Sequence, residues 1–262
     1  MTKRKPKNKR KNTKSNNPDA HVRLYGTHAV CAAVQNPQRQ VIKLWATANG
    51  AKTISALKTA ARLMPEQLSP QELARLLPAD AVHQGLVADV SSLPDTSLKT
   101  IMARARPIIV LDQIVDPRNV GAILRVAAVF DAAGIIVTRH HSPRAEGALA
   151  KTASGALETV PLLAVANLAR TLSMLAGAGY QVLGLDEHGA RTIDQIDTNQ
   201  PLACVMGAEG RGLRRLTRET CTELVSLPTK SYTGDTGAGP QNEFATLNVA
   251  TAAAVALYAL TR

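Results

Sequence analysis

Residues 202–213 read LACVMGAEGRGL. The apolar run 202–206 is the length of one buried strand. It breaks at once into three glycines within six residues, Gly207, Gly210 and Gly212, which lets the backbone turn sharply and come close to a ligand. Leu213-Arg214-Arg215-Leu216 then opens a basic helix. A strand, a glycine loop and a helix form the unit with which α/β proteins build ligand pockets at the carboxyl ends of their strands. The glycine spacing is neither GxGxxG nor GxxxxGK[ST], and Glu209 would repel a phosphate, so neither nucleotide loop fits. Taken alone, the stretch also reads as a tight βα turn with a surface glutamate.

The same alternation runs through the chain. Strands are expected at 41–46, 85–90, 107–112, 134–138, 161–165, 180–185 and 224–227. Helices are expected at 27–34, 54–64, 120–129, 145–157 (interrupted by Ser154-Gly155), 168–176, 213–221 and 246–260. Thr27 stands near a helix cap, Ser69 with Glu72 forms a capping box, and Asp116-Pro117 is a turn and cap signal. Short strands alternating with helices imply a mostly parallel sheet covered on both faces. The 262 residues, 45% hydrophobic, allow a sizeable core, and with aromatics at 3% it is filled by Ala, Val and Leu. Residues 22–92 form a small α/β module, 93–105 a linker and 106–262 a second, larger domain.

The net charge of +11 is unevenly spread. Residues 1–14 carry 8 of the 31 basic residues and no acid, which leaves 23 basic against 20 acidic residues in the remainder. A polybasic, apolar-poor segment is expected to be disordered, so 1–20 reads as a tail. Such a tail binds polyanions through counterion release, or serves solubility alone. Nucleic acid is favoured over membrane, since no lipidation signal, amphipathic helix or spanning segment accompanies the charge. The three scattered cysteines show neither a disulfide framework nor a metal-ligand spacing, which points to a reducing compartment and no metal. His28 and His83 stand alone and read as structural.

Three segments carry chemistry in sequence order: LDQIVDPRNVGAILRVAAVFDAAGIIV (111–137), VMGAEGRGL (205–213), and a third beginning at Leu227 with LPTKS and closing at Leu260 with ATLNVATAAAVALYAL. Together they resemble the three motifs of the SpoU (TrmH) branch of the SPOUT methyltransferases, DPxNxGxxxRxA, GxEGxG and SLNVSxA. The module before them, with RLYGTHAVCAAV and HQGLVADV, resembles the ribosomal-protein-like RNA-binding domain of ribosomal RNA 2′-O-methyltransferases in that branch. The resemblance covers about residues 22–262.

That resemblance implies an α/β sheet whose C-terminal part is threaded into a trefoil knot, S-adenosylmethionine bound in the knotted loops, and a homodimer. It implies Gly207, Leu227 and Leu247 as the cofactor-lining positions. A glycine there would let adenosine approach, and two leucines would give apolar walls. It implies Asn119, Arg125, Glu209 and Asn248 as the polar, catalytic positions. A guanidinium stays protonated, so Arg125 fits a phosphate clamp and hydroxyl polariser better than a proton acceptor. Asn119 also reads as a helix cap, and Asn248 as an ordinary first-turn residue. The activity implied is 2′-O-methylation of a ribose, guanosine in 23S ribosomal RNA, in the cytoplasm. Methylation of tRNA, or a non-catalytic ribosome-assembly role on the same fold, are the other readings. Two departures stand out: Thr246 replaces the motif serine, and 230–244 lengthens the link before the last helix, where it could act as a lid.

Overall fold

The computed structural model describes residues 21–57, 64–139, 147–228 and 247–262. The basic tail, the segment 230–244 and Thr246 lie outside them. The first unit has strands β1 (His21–Tyr25), β2 (Val41–Ala46), β3 (Glu66–Gln67) and β4 (Leu86–Ser91), and helices α1 (Thr27–Gln35), α2 (Ala48–Ser55) and α3 (Pro70–Arg75). Its sheet runs β1-β4-β2-β3, antiparallel except for the β2–β3 pair. The second unit begins with α4 (Leu98–Met102). It continues through β5 (Ile108–Asp112), α5 (Pro117–Val129), β6 (Gly134–Thr138), α6 (Gly147–Ala153), β7 (Leu162–Val165), α7 (Leu168–Gly177) and β8 (Gln181–Leu185). It ends with β9 (Arg191–Thr192), β10 (Leu202–Gly207), α8 (Arg215–Thr220), β11 (Glu223–Ser226) and α9 (Val249–Leu260).

These seven strands form a single sheet in the order β7-β6-β5-β10-β8-β11-β9, with every pairing parallel. β5 and β6 are buried at all five positions, and β10 at its first five. That is why these segments read as unbroken apolar runs: a parallel sheet covered by helices has no polar face. From β5 the chain winds outward through β6 and β7, then crosses to the other side, where β10 slots in beside β5. The order therefore reverses between β5 and β10, and ligands of open α/β sheets bind outside the carboxyl ends of the strands at such a point.

Local chemistry fixes several boundaries. Asp116 caps α5 by accepting from the Arg118 amide at 2.8 Å, so the helix starts at Pro117, before the expected 120. The capping box of α3 forms as read, with Ser69 and Glu72 exchanging bonds. α1 begins at Thr27, next to its cap as expected; the cap residue is Gly26, and no side chain serves it. The helix expected over 54–64 is instead α2 at Ala48–Ser55, capped by Thr47, whose hydroxyl accepts from the Gly50 amide; residues 58–63 lie outside the described set, and Met64 beyond them is exposed. The short α4, capped by Ser97, falls in the segment expected to be linker. The break at Ser154-Gly155 does end α6, and a 3₁₀ turn, Ala156–Glu158, follows. The trefoil knot implied by the resemblance turns on the path of the chain through 229–246, outside the described residues.

Candidate active site

The motif segments converge at the carboxyl ends of β5 and β10. In the parallel register Gly207 pairs with Asp112, so the first and second motifs leave the sheet side by side. Asp112 is the last residue of β5, and its carboxylate is completely buried. It accepts from Arg214 at the far end of the glycine loop: backbone amide to Oδ2 at 3.1 Å, Nε to Oδ1 at 2.7 Å. A second guanidinium nitrogen lies 2.7 Å from Oδ1. Both ends of the loop are thereby fixed to the sheet, one through β10 and the other through this ion pair. Between them the Gly212 amide donates to the Ala208 carbonyl at 2.8 Å, and Gly210 and Gly212 take positive φ of 75° and 62°.

Gly207 has a more exacting requirement than ligand approach. A Cβ there would lie 2.1 Å from the Gly212 carbonyl carbon and 2.4 Å from the Leu213 amide nitrogen. The loop folds back onto its own first residue, so no side chain can stand at 207. The loop's own backbone therefore demands glycine at 207, whatever binds beside it.

Closing the loop in this way sets Glu209 at its tip, exposed, facing the other two motifs. Glu209 Oε1 accepts from Asn119 Nδ2 at 3.0 Å, from Asn248 Nδ2 at 2.8 Å and from the Val249 amide at 3.3 Å. Asn248 Nδ2 also lies 3.2 Å from Asn119 Oδ1. One carboxylate oxygen thus joins residues from three separate segments. Because Asp116 performs the capping of α5, the Asn119 amide is free for this contact. Asn248 is the N-cap of α9, its Oδ1 accepting from the Ala250 amide at 2.9 Å, and its Nδ2 turns to the network. Packing of α9 on α5 brings the two asparagines together, with Ala253 and Ala256 of α9 fully buried.

Arg125 is not in this cluster. It lies six residues beyond Asn119 on α5, which is about 9 Å along the axis and about 120° around it. It is exposed and lines a separate cavity of about 380 Å³ with Ala32 of the first unit and Ala128, Ser154, Gly155 and Thr159. Leu227 follows the carboxyl end of β11 and packs against the main core. Leu247 immediately precedes the α9 cap and is 41% exposed, an apolar side chain left at the site. A larger cavity of about 670 Å³, lined among others by Pro107, Tyr180, Gln200 and Leu260, lies beside the amino ends of β5, β8 and β10. None of the expected site residues borders it.

Sequence reasoning missed Asp112 and Arg214. The available signal was an acid closing an otherwise apolar strand, Ile108-Ile109-Val110-Leu111-Asp112, since a buried carboxylate needs a partner. Among the described residues no group of His, Cys, Asp and Glu is arranged to hold a metal, and no helix is long and apolar enough to cross a membrane.

The model of the SpoU rRNA Methylase family matches residues 106–258, which include every residue of the Asn119–Glu209–Asn248 network. The chain belongs to that family. A second model, RNA 2′-O ribose methyltransferase substrate binding, matches residues 23–96. The chain is 35% identical over 251 residues to the 23S rRNA (guanosine-2′-O-)-methyltransferase RlmB of Pseudomonas aeruginosa, covering 92% of this chain and 96% of the relative. It is 39% identical over 216 residues to the RlmB of Pseudomonas putida, covering 79% and 86%. Among solved structures, the SpoU methyltransferase AviRb of Streptomyces viridochromogenes in complex with AdoMet superposes with a TM-score of 0.72 at 24% identity, over 92% of this chain and 89% of that one. An rRNA methyltransferase of Sinorhizobium meliloti gives 0.72 at 19% identity, over 92% and 86%. At these identities the likeness shows the fold.

Proposed function

We propose that this protein transfers a methyl group from S-adenosylmethionine to the 2′-hydroxyl of a guanosine ribose in 23S ribosomal RNA. The observation that carries the reading is the Glu209 carboxylate joining Asn119 and Asn248 at the switch point of the sheet, in a chain whose relatives named above are 23S rRNA guanosine-2′-O-methyltransferases. A binding factor that had lost catalysis would have no need to keep three motif residues in mutual contact.

In this reading Gly207, Leu227 and Leu247 hold the cofactor. The exposed Leu247 beside the network and the strand-end backbone of the loop that Asp112 and Arg214 anchor fit an adenosyl group, which needs apolar walls and strand-end backbone groups. When bound, the cofactor supplies an already activated methyl group. The protein's task is then to position the ribose and polarise its hydroxyl. Glu209 orients the two asparagine amides, and each amide has polar capacity to spare for the cofactor or the ribose. Arg125, exposed on its own cavity wall, clamps an RNA phosphate through its planar fork. Residues 22–92 read as the RNA-binding unit and 106–262 as the catalytic unit, with 93–105 as a connection whose helix α4 packs onto the catalytic unit through Ile101. The protein works in the cytoplasm as a homodimer, with the basic tail as an additional RNA arm.

The test is to map 2′-O-methyl marks on 23S ribosomal RNA from cells lacking the gene, and to restore the missing mark with purified protein and S-adenosylmethionine. Loss of one guanosine mark, restored in vitro, is the expected result. An unchanged 23S map, or a missing mark on tRNA instead, overturns the reading.

A further inference from the structure

The joint between the two units holds the most deeply buried ion pair among the described residues. Arg39 follows α1 in the first unit, and Glu158 closes the 3₁₀ turn after α6 in the second. Their side chains are 1% and 4% exposed. Arg39 Nε lies 3.1 and 3.0 Å from the two carboxylate oxygens of Glu158, and a terminal nitrogen lies 2.9 Å from Oε1. The other terminal nitrogen donates to the Ser91 carbonyl at 2.6 Å, and Asn36 Nδ2 donates to Glu158 Oε2 at 2.7 Å. Around this pair the joint is tight. Gly155, at φ 92°, has no room for a side chain: a Cβ would lie 2.9 Å from that of Ala32 on α1. Val30 and Ala33 of α1 belong to one continuous core with Leu149, Ala153 and Leu157.

The apolar core would hold the units together without any charge, and removing two charges from water is costly unless their geometry is satisfied. What a forked, fully bonded pair adds is a single orientation. The turn that carries Glu158 is also the turn that lines the cavity of Arg125, through Ala156, with Thr159 next to it and Ala32 opposite. We propose that Arg39, Asn36 and Glu158 are positioning residues for methyl transfer. They lock the RNA-binding unit in one orientation over the cavity of Arg125 and so set which ribose reaches the reacting centre. This rests on the function proposed above.

Two variants test it: Glu158→Gln, and the double apolar replacement Arg39→Met with Glu158→Leu, which removes the charges but fills the joint. For each, the distance between spin labels at Gln71→Cys and Ser173→Cys, one on each unit, is measured alongside S-adenosylmethionine binding, RNA binding and single-turnover methylation at saturating RNA. The expected result is a broadened distance distribution, cofactor and RNA affinities within about threefold of the parent, and a methylation rate lower by about tenfold or more, the scale for a misplaced reactant. Methylation should also spread to neighbouring nucleotides. A rate loss at an unchanged distance distribution, or a broadened distribution with unchanged rate and site, overturns the proposal. If the parent protein does not methylate 23S fragments at all, the function is wrong, and the clamp then stands or falls on the distance measurement alone.

Discussion

The guanidinium of Arg214 sits on the buried carboxylate of Asp112, 102 residues earlier in the chain, with Nε 2.7 Å from Oδ1. This one pair ties the end of β5 to the entrance of α8 and holds the glycine loop between them. Arg214 is 45% exposed and Asp112 not at all, so the two partners respond differently when the pair is broken. Asp112→Ala releases Arg214 into water, and the cost in stability is about 1–3 kcal/mol, below that of an enclosed pair. The loop is the larger casualty. S-adenosylmethionine binding weakens by about tenfold or more, since a loop-ordering cost of about 1.4 kcal/mol is one decade of affinity. Calorimetry and urea unfolding of the same protein read both effects. Unchanged affinity in a destabilised variant would show that the pair serves the fold alone.

Glu209 behaves in the opposite way. It is exposed, and the amides it joins can be rehydrated, so Glu209→Ala costs no more than about 1 kcal/mol of stability. Methyl transfer falls by about 10²-fold, the scale for losing a preorganised polar group at a reacting centre. Glu209→Gln is intermediate, because the amide oxygen still accepts but without charge assistance. A single-turnover rate for the alanine variant at the level of the parent would remove Glu209 from the mechanism.

These two sites show how far a sequence can be read. β5, β6 and β10 were legible because a covered parallel strand is apolar at every position, and α3 because Ser69 and Glu72 stand at capping-box spacing. α2 was misread because it begins with Ala48-Asn49-Gly50, residues more typical of a turn, and owes its start to the Thr47 cap. β3 and β9, of two residues each, are too short to carry a period. The motif resemblance singled out Asn119, Glu209 and Asn248, yet that all three meet at one oxygen could only come from the fold. Asp112 with Arg214, and Arg39 with Glu158, pair across 102 and 119 residues. No local pattern marks which distant charge a buried one will find.

The cysteines give a pH prediction. Burial pushes the Cys204 thiol up to about 12, with the nearby Cys221 adding to it. Burial and then the Asp112 carboxylate push Cys221 up to about 11. The neutral thiols are favoured by the fold, so their contribution is complete below the ordinary thiol value of 9.0 and is lost as pH rises from there toward 12. In that window each thiol that ionises only on unfolding steepens the fall of stability by about 1.4 kcal/mol per pH unit. Urea unfolding from pH 8 to pH 10.5 should show a shallower alkaline decline for Cys204→Ala than for the parent. Equal slopes would mean that Cys204 ionises as readily in the folded protein as in the unfolded chain.

The eight basic residues of 1–14 carry the chain's charge excess. Deleting them should weaken RNA affinity and lower the dependence of log K on log salt by up to about one unit for each phosphate that the tail neutralises. S-adenosylmethionine binding should be unaffected. An unchanged salt slope would leave the tail no role as an RNA arm.

Arg125 separates RNA handling from cofactor handling. It lines a shallow, open hollow with Ala32 and Ser154, while the Glu209 network is joined by Asn119 and Asn248 without it. Arg125→Ala should therefore leave S-adenosylmethionine affinity and the melting temperature close to those of the parent, because the side chain is exposed. Methyl transfer should drop by about 10²-fold or more. Arg125→Lys should recover little, since an ammonium cannot reproduce a bidentate fork on a phosphate. Calorimetric cofactor binding is paired with single-turnover methylation of 23S fragments. Methylation by Arg125→Ala at the parental rate would sink the phosphate-clamp role. Loss of cofactor binding together with activity would instead make Arg125 a support of the cofactor pocket, reached through α5 and the Asn119 side chain that the same helix carries.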